Sequence, residues 1–232
     1  MRIALIGTGQ MGSMVKSLAE SRGHEIGVSL DEASGALSAS ALAQKIENCS
    51  VAIDFSVGSA VRQNVAACMA AGIALVEGTT GWNEYFEEVK AVVERYNGSF
   101  IYGANFSIGV NLFYRVVEHA AELFSRFPEY EVFIEEQHHS RKKDAPSGTA
   151  LRIKELISSR IDTDFSVSST RAGNIPGTHR VGFDGTADQI LLEHASRSRE
   201  GFAAGAIFAA EWIVKRKGFY EFGEVIEEIL KK

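Results

Sequence analysis

Cysteine and proline are scarce in this chain, two and three respectively among 232 residues. Neither Cys49 nor Cys68 has a Cys or His partner at ligand spacing, which excludes a disulfide scaffold and a zinc-type cluster and leaves two reduced structural thiols. Long apolar runs are missing too. Gly72 and charges such as Glu211 interrupt them, so none approaches the roughly 18 to 20 residues of a membrane span. The apolar run Ile3 to Ile6 is far too short for a secretory signal region, and a cytoplasmic location is expected. Nor is there a surplus of positive charge: a net charge of −6 and a pI near 5.6 argue against a nucleic-acid surface, which needs a dominant basic face. Repeats and low-complexity tracts are lacking. What is left is an ordinary globular chain, 45% apolar, with room for one large domain or two small ones.

The first positive signal is at the N-terminus. Arg2 to Ile6 is a short run of strand type that passes directly into Gly7-Thr8-Gly9-Gln10-Met11-Gly12, a G-x-G-x-x-G placed where a strand hands over to a helix. Met11, Val15, Leu18 and Ala19 recur at helical spacing until Arg22-Gly23, and Glu25 to Leu30 is a second strand, so the segment is a βαβ unit. Gly7 allows the tight turn, Gly9 lets the backbone approach a pyrophosphate, and Gly12 permits close packing of helix on strand. Asp31 stands 19 positions after Gly12, where an acid accepts hydrogen bonds from the ribose hydroxyls of a dinucleotide. No base neighbours Asp31 and Glu32 follows it, so a 2′-phosphate would meet two carboxylates; this favours NADH, with NADPH left open.

Strand and helix go on alternating to about residue 102, which implies a doubly wound parallel sheet. Ligands of such sheets lie outside the carboxyl ends of the strands. The segments expected there, besides the glycine loop, are Asp54-Phe55-Ser56, Gly78-Thr79-Thr80-Gly81 and Gly103-Ala104-Asn105-Phe106. From Ser107 the pattern changes to a long helix, Ile108 to Phe127, then strands at Tyr130 to Gln137, Phe165 to Thr170, Thr178 to Phe183 and Gln189 to His194. The chain closes with a helix from Phe202 to Lys217 and an amphipathic turn from Tyr220 to Leu230. The division predicted is a dinucleotide-binding domain from 1–106 and 196–232, and an α+β substrate and oligomerisation domain from 107–195.

Glu136 to Ala150 is the densest chemistry in the chain. His138, His139, Lys142 and Lys143 offer charge-assisted hydrogen bonds to carboxylates and proton donors of different acidity. Pro146-Ser147-Gly148-Thr149 then opens a helix: Ser147 can cap it, and the first free N–H groups, near Gly148 and Thr149, welcome an anion. A small dicarboxylate suits that combination. His24, His119, His179 and His194 have no partners at ligand spacing and read as surface or structural groups, so no metal is expected; His179 and Arg171 lie near the turns of the second domain and are candidates to support the site from behind the residues that touch a ligand.

Taken together, Gly7 to Gly12, Asp54-Phe55-Ser56, Gly78 to Gly81, Asn105 to Asn111, the His138 to Ala150 block, Arg171 to His179 and the helix Gly201 to Trp212 resemble the dihydrodipicolinate reductase family over nearly the whole chain. The resemblance implies a Rossmann-type domain completed by the C-terminal helices, a central tetramerising substrate domain, and reduction of a cyclic imine dicarboxylate by NADH or NADPH. It implies His138 as acid/base, Lys142 as proton donor, and His139, Gly148 and Thr149, with Ser147, as the carboxylate grip. The glycine loop is one residue shorter than the Gly-x-x-Gly-x-x-Gly form of many members, and the basic residue that follows the strand-two acid in members using NADPH is absent. Two alternatives stay open at this point: another two-domain nicotinamide reductase acting on an imino or amino acid, and an NADH-sensing regulator without chemistry.

Overall fold

A computed structural model describes residues 1–31 and 37–231. In chain order the elements are β1 (Arg2–Ile6), α1 (Gln10–Ser21), β2 (Glu25–Leu30), α2 (Ala39–Ile46), β3 (Val51–Asp54), α3 (Val61–Ala71), β4 (Ala74–Glu77), α4 (Phe86–Arg95) and β5 (Ser99–Tyr102). Then come α5 (Ile108–Phe124), β6 (Glu131–His138), α6 (Gly148–Ser158), β7 (Ser166–Arg171), β8 (Thr178–Asp184), β9 (Gln189–Ala195), α7 (Glu200–Ile213), β10 (Gly218–Glu221) and α8 (Phe222–Leu230). They form two compact units, Met1–Ile108 with Arg199–Lys232, and Gly109–Ser198.

The first unit is a six-stranded, all-parallel sheet in the order β10-β5-β4-β3-β1-β2. Because side chains alternate across a strand, buried strands feed two cores. Ile3, Leu5, Val51, Ile53, Val76 and Ile101 pack with α1, α7 and α8. Ala4, Ile6, Ala52, Leu75 and Phe100 pack with α2, α3 and α4 on the opposite face. This is the doubly wound arrangement expected, and since every strand runs the same way, the loops after β1, β3, β4 and β5 emerge on one edge.

One element departs from the sequence pattern. The helix read as Phe202 to Lys217 stops at Ile213, and Gly218–Glu221 is a strand beside β5, not part of a helical stretch. Its aromatic content explains the departure: Phe219 stacks on Phe100 at 4.9 Å and meets Phe86 edge-on at 5.3 Å, contacts that favour a pleated edge over another turn of helix.

The second unit has a four-stranded sheet in the order β7-β6-β8-β9, with β6 and β7 parallel and the remaining pairs antiparallel. Its core is Val132, Ile134, Val181 and Phe183 against Phe113, Val117 and Ala121 of α5 and Ile153 and Ile157 of α6. Along β6 the inward positions are Val132, Ile134 and Glu136, which puts an acid on the core-facing side with His138 next in the series.

Candidate active site

The edge of the first unit carries a groove of about 450 Å³ lined by Gly9, Gln10, Met11, Phe55, Ser56, Gly78, Thr79 and Thr80, among others. Backbone hydrogen bonds join the strand ends beneath it: Gly7 N–H donates to Leu30 O (2.8 Å), Phe55 N–H to Ile6 O (2.9 Å) and Gly78 N–H to Asp54 O (2.9 Å). Gly7 has φ +90, and a Cβ there would run into the Phe55 carbonyl; a Cβ on Gly12 would strike the Gly7 carbonyl oxygen. At Gly9 a Cβ would meet nothing, yet Gly9 is the N-cap of α1 and no side chain caps that helix. Uncapped amides facing open space are what a pyrophosphate needs, so these residues fit a dinucleotide. Thr8 lines a smaller adjoining hollow of about 180 Å³ with Ser13, Lys16 and Ser29. Asp31 follows β2, exposed; Glu32, the second acid invoked against a 2′-phosphate, lies outside the described residues.

Two of the residues expected at this edge are turned inward. The Phe106 ring is 2% exposed and packs on Phe222 (4.7 Å) and Phe55 (6.4 Å), so only its main chain is available to a ligand. The Thr79 side chain is likewise buried, accepting from Ser56 N–H (3.0 Å) and donating to Asp54 (3.3 Å). Gly103 and Ala104 follow β5, with Asn105 accepting from Ser107 N–H at 2.9 Å.

In the second unit the carboxyl end of β6 gathers groups from four elements. Register places Glu136 opposite His179 on β8 and His138 opposite Arg171 on β7. Arg171 grips Glu136 with both amino groups, at 2.9 and 2.6 Å, and ties itself to the Asp144 carbonyl at 2.6 Å. Glu136 accepts from His138 Nδ1 through a short hydrogen bond. Burial opposes ionisation of Glu136, but hydrogen bonds from Arg171, Ser169 and His138 outweigh it and bring the carboxyl down to about 2. Burial lowers His138, against the pull of Glu136, and lowers His179 to about 4. Both imidazoles are therefore neutral in the free protein at pH 7. With Nδ1–H committed to Glu136, His138 keeps Nε2 as a free acceptor; Gly177, with φ +130, leaves room there, since a Cβ would stand 3.1 Å from that nitrogen.

Ser147 caps α6, accepting from Ala150 N–H at 3.2 Å, and bonds His179 Nε2 at 3.0 Å, while its own N–H donates to Glu136 at 3.3 Å. It is 2% exposed and holds the helix start in place. Gly148 is exposed and a Cβ on it would meet nothing; Thr149 is half-buried beside it. Lys142 pairs with Asp144 at 2.9 Å, and that ammonium holds the Asp144 carboxyl below its usual range. His139 Nδ1 is buried with no hydrogen-bond partner among the described residues, and Lys143 is exposed.

Linear reading gives Glu136 no role, and Arg171 and His179 only a supporting one beside the site. One signal was present: an acid in phase with Val132 and Ile134 must be buried and must find cations or donors. Its partners come from strand register, which a one-dimensional pattern does not contain. The ligand-type atoms of Glu136, His138 and His179 lie within 4.8 Å of one another. Arg171 and the Ser147 amide already occupy the Glu136 oxygens, and a guanidinium at this range repels a metal ion, so the cluster suits an anion and its protons better than a metal.

Comparison with known proteins is consistent with this geometry. Family models described as the N-terminus and the C-terminus of dihydrodipicolinate reductase match residues 1–106 and 109–226. A 4-hydroxy-tetrahydrodipicolinate reductase of Christiangramia forsetii is 33% identical, over 100% of both chains. One of Natronomonas pharaonis is also 33% identical, over 97% of this chain and 100% of its own. A dipicolinate-bound dihydrodipicolinate reductase from Paenisporosarcina sp. TG-14 superposes with a TM-score of 0.80 at 21% identity, covering 97% of this chain and 99% of that one.

Proposed function

The chain belongs to the dihydrodipicolinate reductase family, and we propose that it reduces 4-hydroxy-tetrahydrodipicolinate to tetrahydrodipicolinate, with loss of water, in diaminopimelate and lysine biosynthesis. The observation that carries the reading is in the second unit: a histidine oriented by a buried glutamate stands with an ammonium and an open helix start at the end of one strand.

The groove over Gly7 to Gly12, with Asp31, Phe55, Ser56, Gly78 to Thr80 and the main chain of Gly103 to Phe106, holds the dinucleotide, which when bound supplies hydride to C4 of the substrate ring. The second unit does the rest. Gly148 and Thr149 N–H groups, the Thr149 hydroxyl and the His139 ring hold a carboxylate, with the dipole of α6 favouring the negative charge. Lys142 gives its proton to C3, and neutral His138, its tautomer fixed by Glu136, takes up or returns protons through Nε2; such acid/base help contributes about 10² to 10⁴ in rate. Asp31 and the sequence-adjacent Glu32 disfavour a 2′-phosphate, so NADH is the preferred cofactor and NADPH the poorer one. A cytoplasmic homotetramer completes the reading.

The test is NADH oxidation followed at its absorbance band, with and without the freshly made condensation product of pyruvate and aspartate semialdehyde. Oxidation that depends on this product supports the reading; none in a protein that binds NADH would point to a regulator. The ratio of kcat/KM for the two cofactors checks the preference, and a ratio of about tenfold or more in favour of NADPH contradicts it.

A further inference from the structure

Two carboxyl groups lie fully buried under the cofactor groove. Asp54 ends β3 and Glu77 ends β4, opposite one another in the parallel register, and both are 0% exposed. Strand parity sets them on the α2, α3 and α4 face. Neither has an ion-pair partner among the described residues. Asp54 collects three donors: the Ser56 amide (2.8 Å), the Thr79 hydroxyl (3.3 Å) and the Asn64 amide group (2.6 Å). Glu77 receives one, the Thr79 amide at 2.8 Å, and its other oxygen, Oε2, is buried with no partner among the described residues.

Two adjacent anions without a cation do not survive in such a place; one proton between them removes most of the penalty. The donor count decides its location. Asp54 is solvated by three donors as a carboxylate, whereas the orphaned Oε2 of Glu77 becomes useful only as an O–H. We propose that Glu77 is a neutral acid sharing one proton with the Asp54 carboxylate, and that this pair positions the loops Phe55-Ser56 and Gly78-Thr79-Thr80 that line the groove. Each carboxyl holds a loop amide, Ser56 through Asp54 and Thr79 through Glu77, and the Thr79 hydroxyl joins the two. The neighbouring ionisable groups favour one shared proton. The Cys68 thiol of α3 is pushed up by burial, then by Asp54, Glu77 and Cys49, and stays neutral. Tyr102 of β5, beside Glu77 in register, is a phenol raised by burial and by Glu221 and Glu224. Burial and then Asp54 push Glu77 well above the usual carboxylate range.

The positioning role rests on the groove being the dinucleotide site; the shared proton does not. The experiment compares Glu77→Gln, which keeps a neutral donor, with Glu77→Ala, which removes it. Infrared difference spectra of wild type minus Glu77→Gln at neutral pH show the carbonyl band of a protonated carboxylic acid. Wild type loses folding stability relative to Glu77→Gln as pH rises above the ordinary carboxylate value, by up to about tenfold in the folding equilibrium per pH unit. Glu77→Ala weakens NADH binding by about fivefold or more with kcat at saturation little changed, and Glu77→Gln restores affinity to within about twofold. No acid band, or parallel stability curves in wild type and Glu77→Gln, overturns the shared proton. Wild-type NADH affinity in a folded Glu77→Ala overturns the positioning. Absence of saturable NADH binding to wild type would instead overturn the reading of the groove, and the spectra and stability curves still decide the proton.

Discussion

The groove of the first unit and the cluster of the second are built by opposite means. The groove is lined chiefly by main chain: glycines without Cβ atoms, uncapped amides, and loops joined by backbone hydrogen bonds over the buried Asp54 and Glu77 carboxyls, with Asp31 the acid proposed for the ribose. The cluster is made of side chains from β6, β7, β8 and the α6 cap, tied around the buried Glu136 carboxylate. The difference teaches where each site is fragile. A main-chain site fails when the backbone is displaced. A side-chain site fails when one charge loses its partner, and it responds to pH.

The largest effect expected from breaking the cluster is that of Arg171→Met. It strands Glu136 as a buried, unpaired carboxylate and should destabilise the protein by about 3 to 5 kcal/mol, read from urea unfolding, with Arg171→Lys recovering part of the loss. A loss below about 1 kcal/mol would show that the bidentate pair is not what keeps Glu136 ionised.

His179 sharpens the comparison through pH. Its native value of about 4 lies below the ordinary 6.5, so the native state binds fewer protons than the unfolded chain between those limits. The associated stability is whole above about 6.5 and is lost as pH falls through about 4, a change of about 3 kcal/mol. Glu136, lowered from 4.5 to about 2, gives up its share only in the more acid window below that. His179→Gln should make the curve shallower between pH 6.5 and 4, where His138 and His194, also lowered by burial, keep part of the slope, and leave the lower limb. An unchanged slope would remove His179 from the buried cluster.

The smallest effect is at the helix start. Thr149→Val removes one hydroxyl with little change of shape and should weaken competitive inhibition by pyridine-2,6-dicarboxylate by about 1 to 3 kcal/mol. An unchanged inhibition constant in a folded variant would show that the hydroxyl is not a ligand contact.

The same contrast explains what could be read from the sequence. Gly7 and Gly12 act through backbone geometry, so spacing alone indicated the tight turn and the close packing of helix on strand, and the alternation of strands and helices indicated the parallel sheet. The Ser147 cap was legible for the same reason. Glu136, Arg171 and His179 meet only through the register of β6 with β7 and β8, over separations of 35 and 43 positions, and no local pattern encodes that. β10 escaped because four residues between two helices are held by aromatic contacts to Phe100 and Phe86 that are distant in sequence. Phe106 and Thr79 stood in loops expected to line the groove, and only packing shows that their side chains point away from it.

The central claim is that cofactor binding and proton delivery reside in separate sets of residues, and Lys142→Met tests it most directly. Isothermal titration of NADH into the variant, alongside its steady-state kcat, should give a dissociation constant near that of wild type and turnover reduced by about 10² or more. A large loss of NADH affinity with intact turnover at saturation would contradict it, and would assign Lys142 to the cofactor.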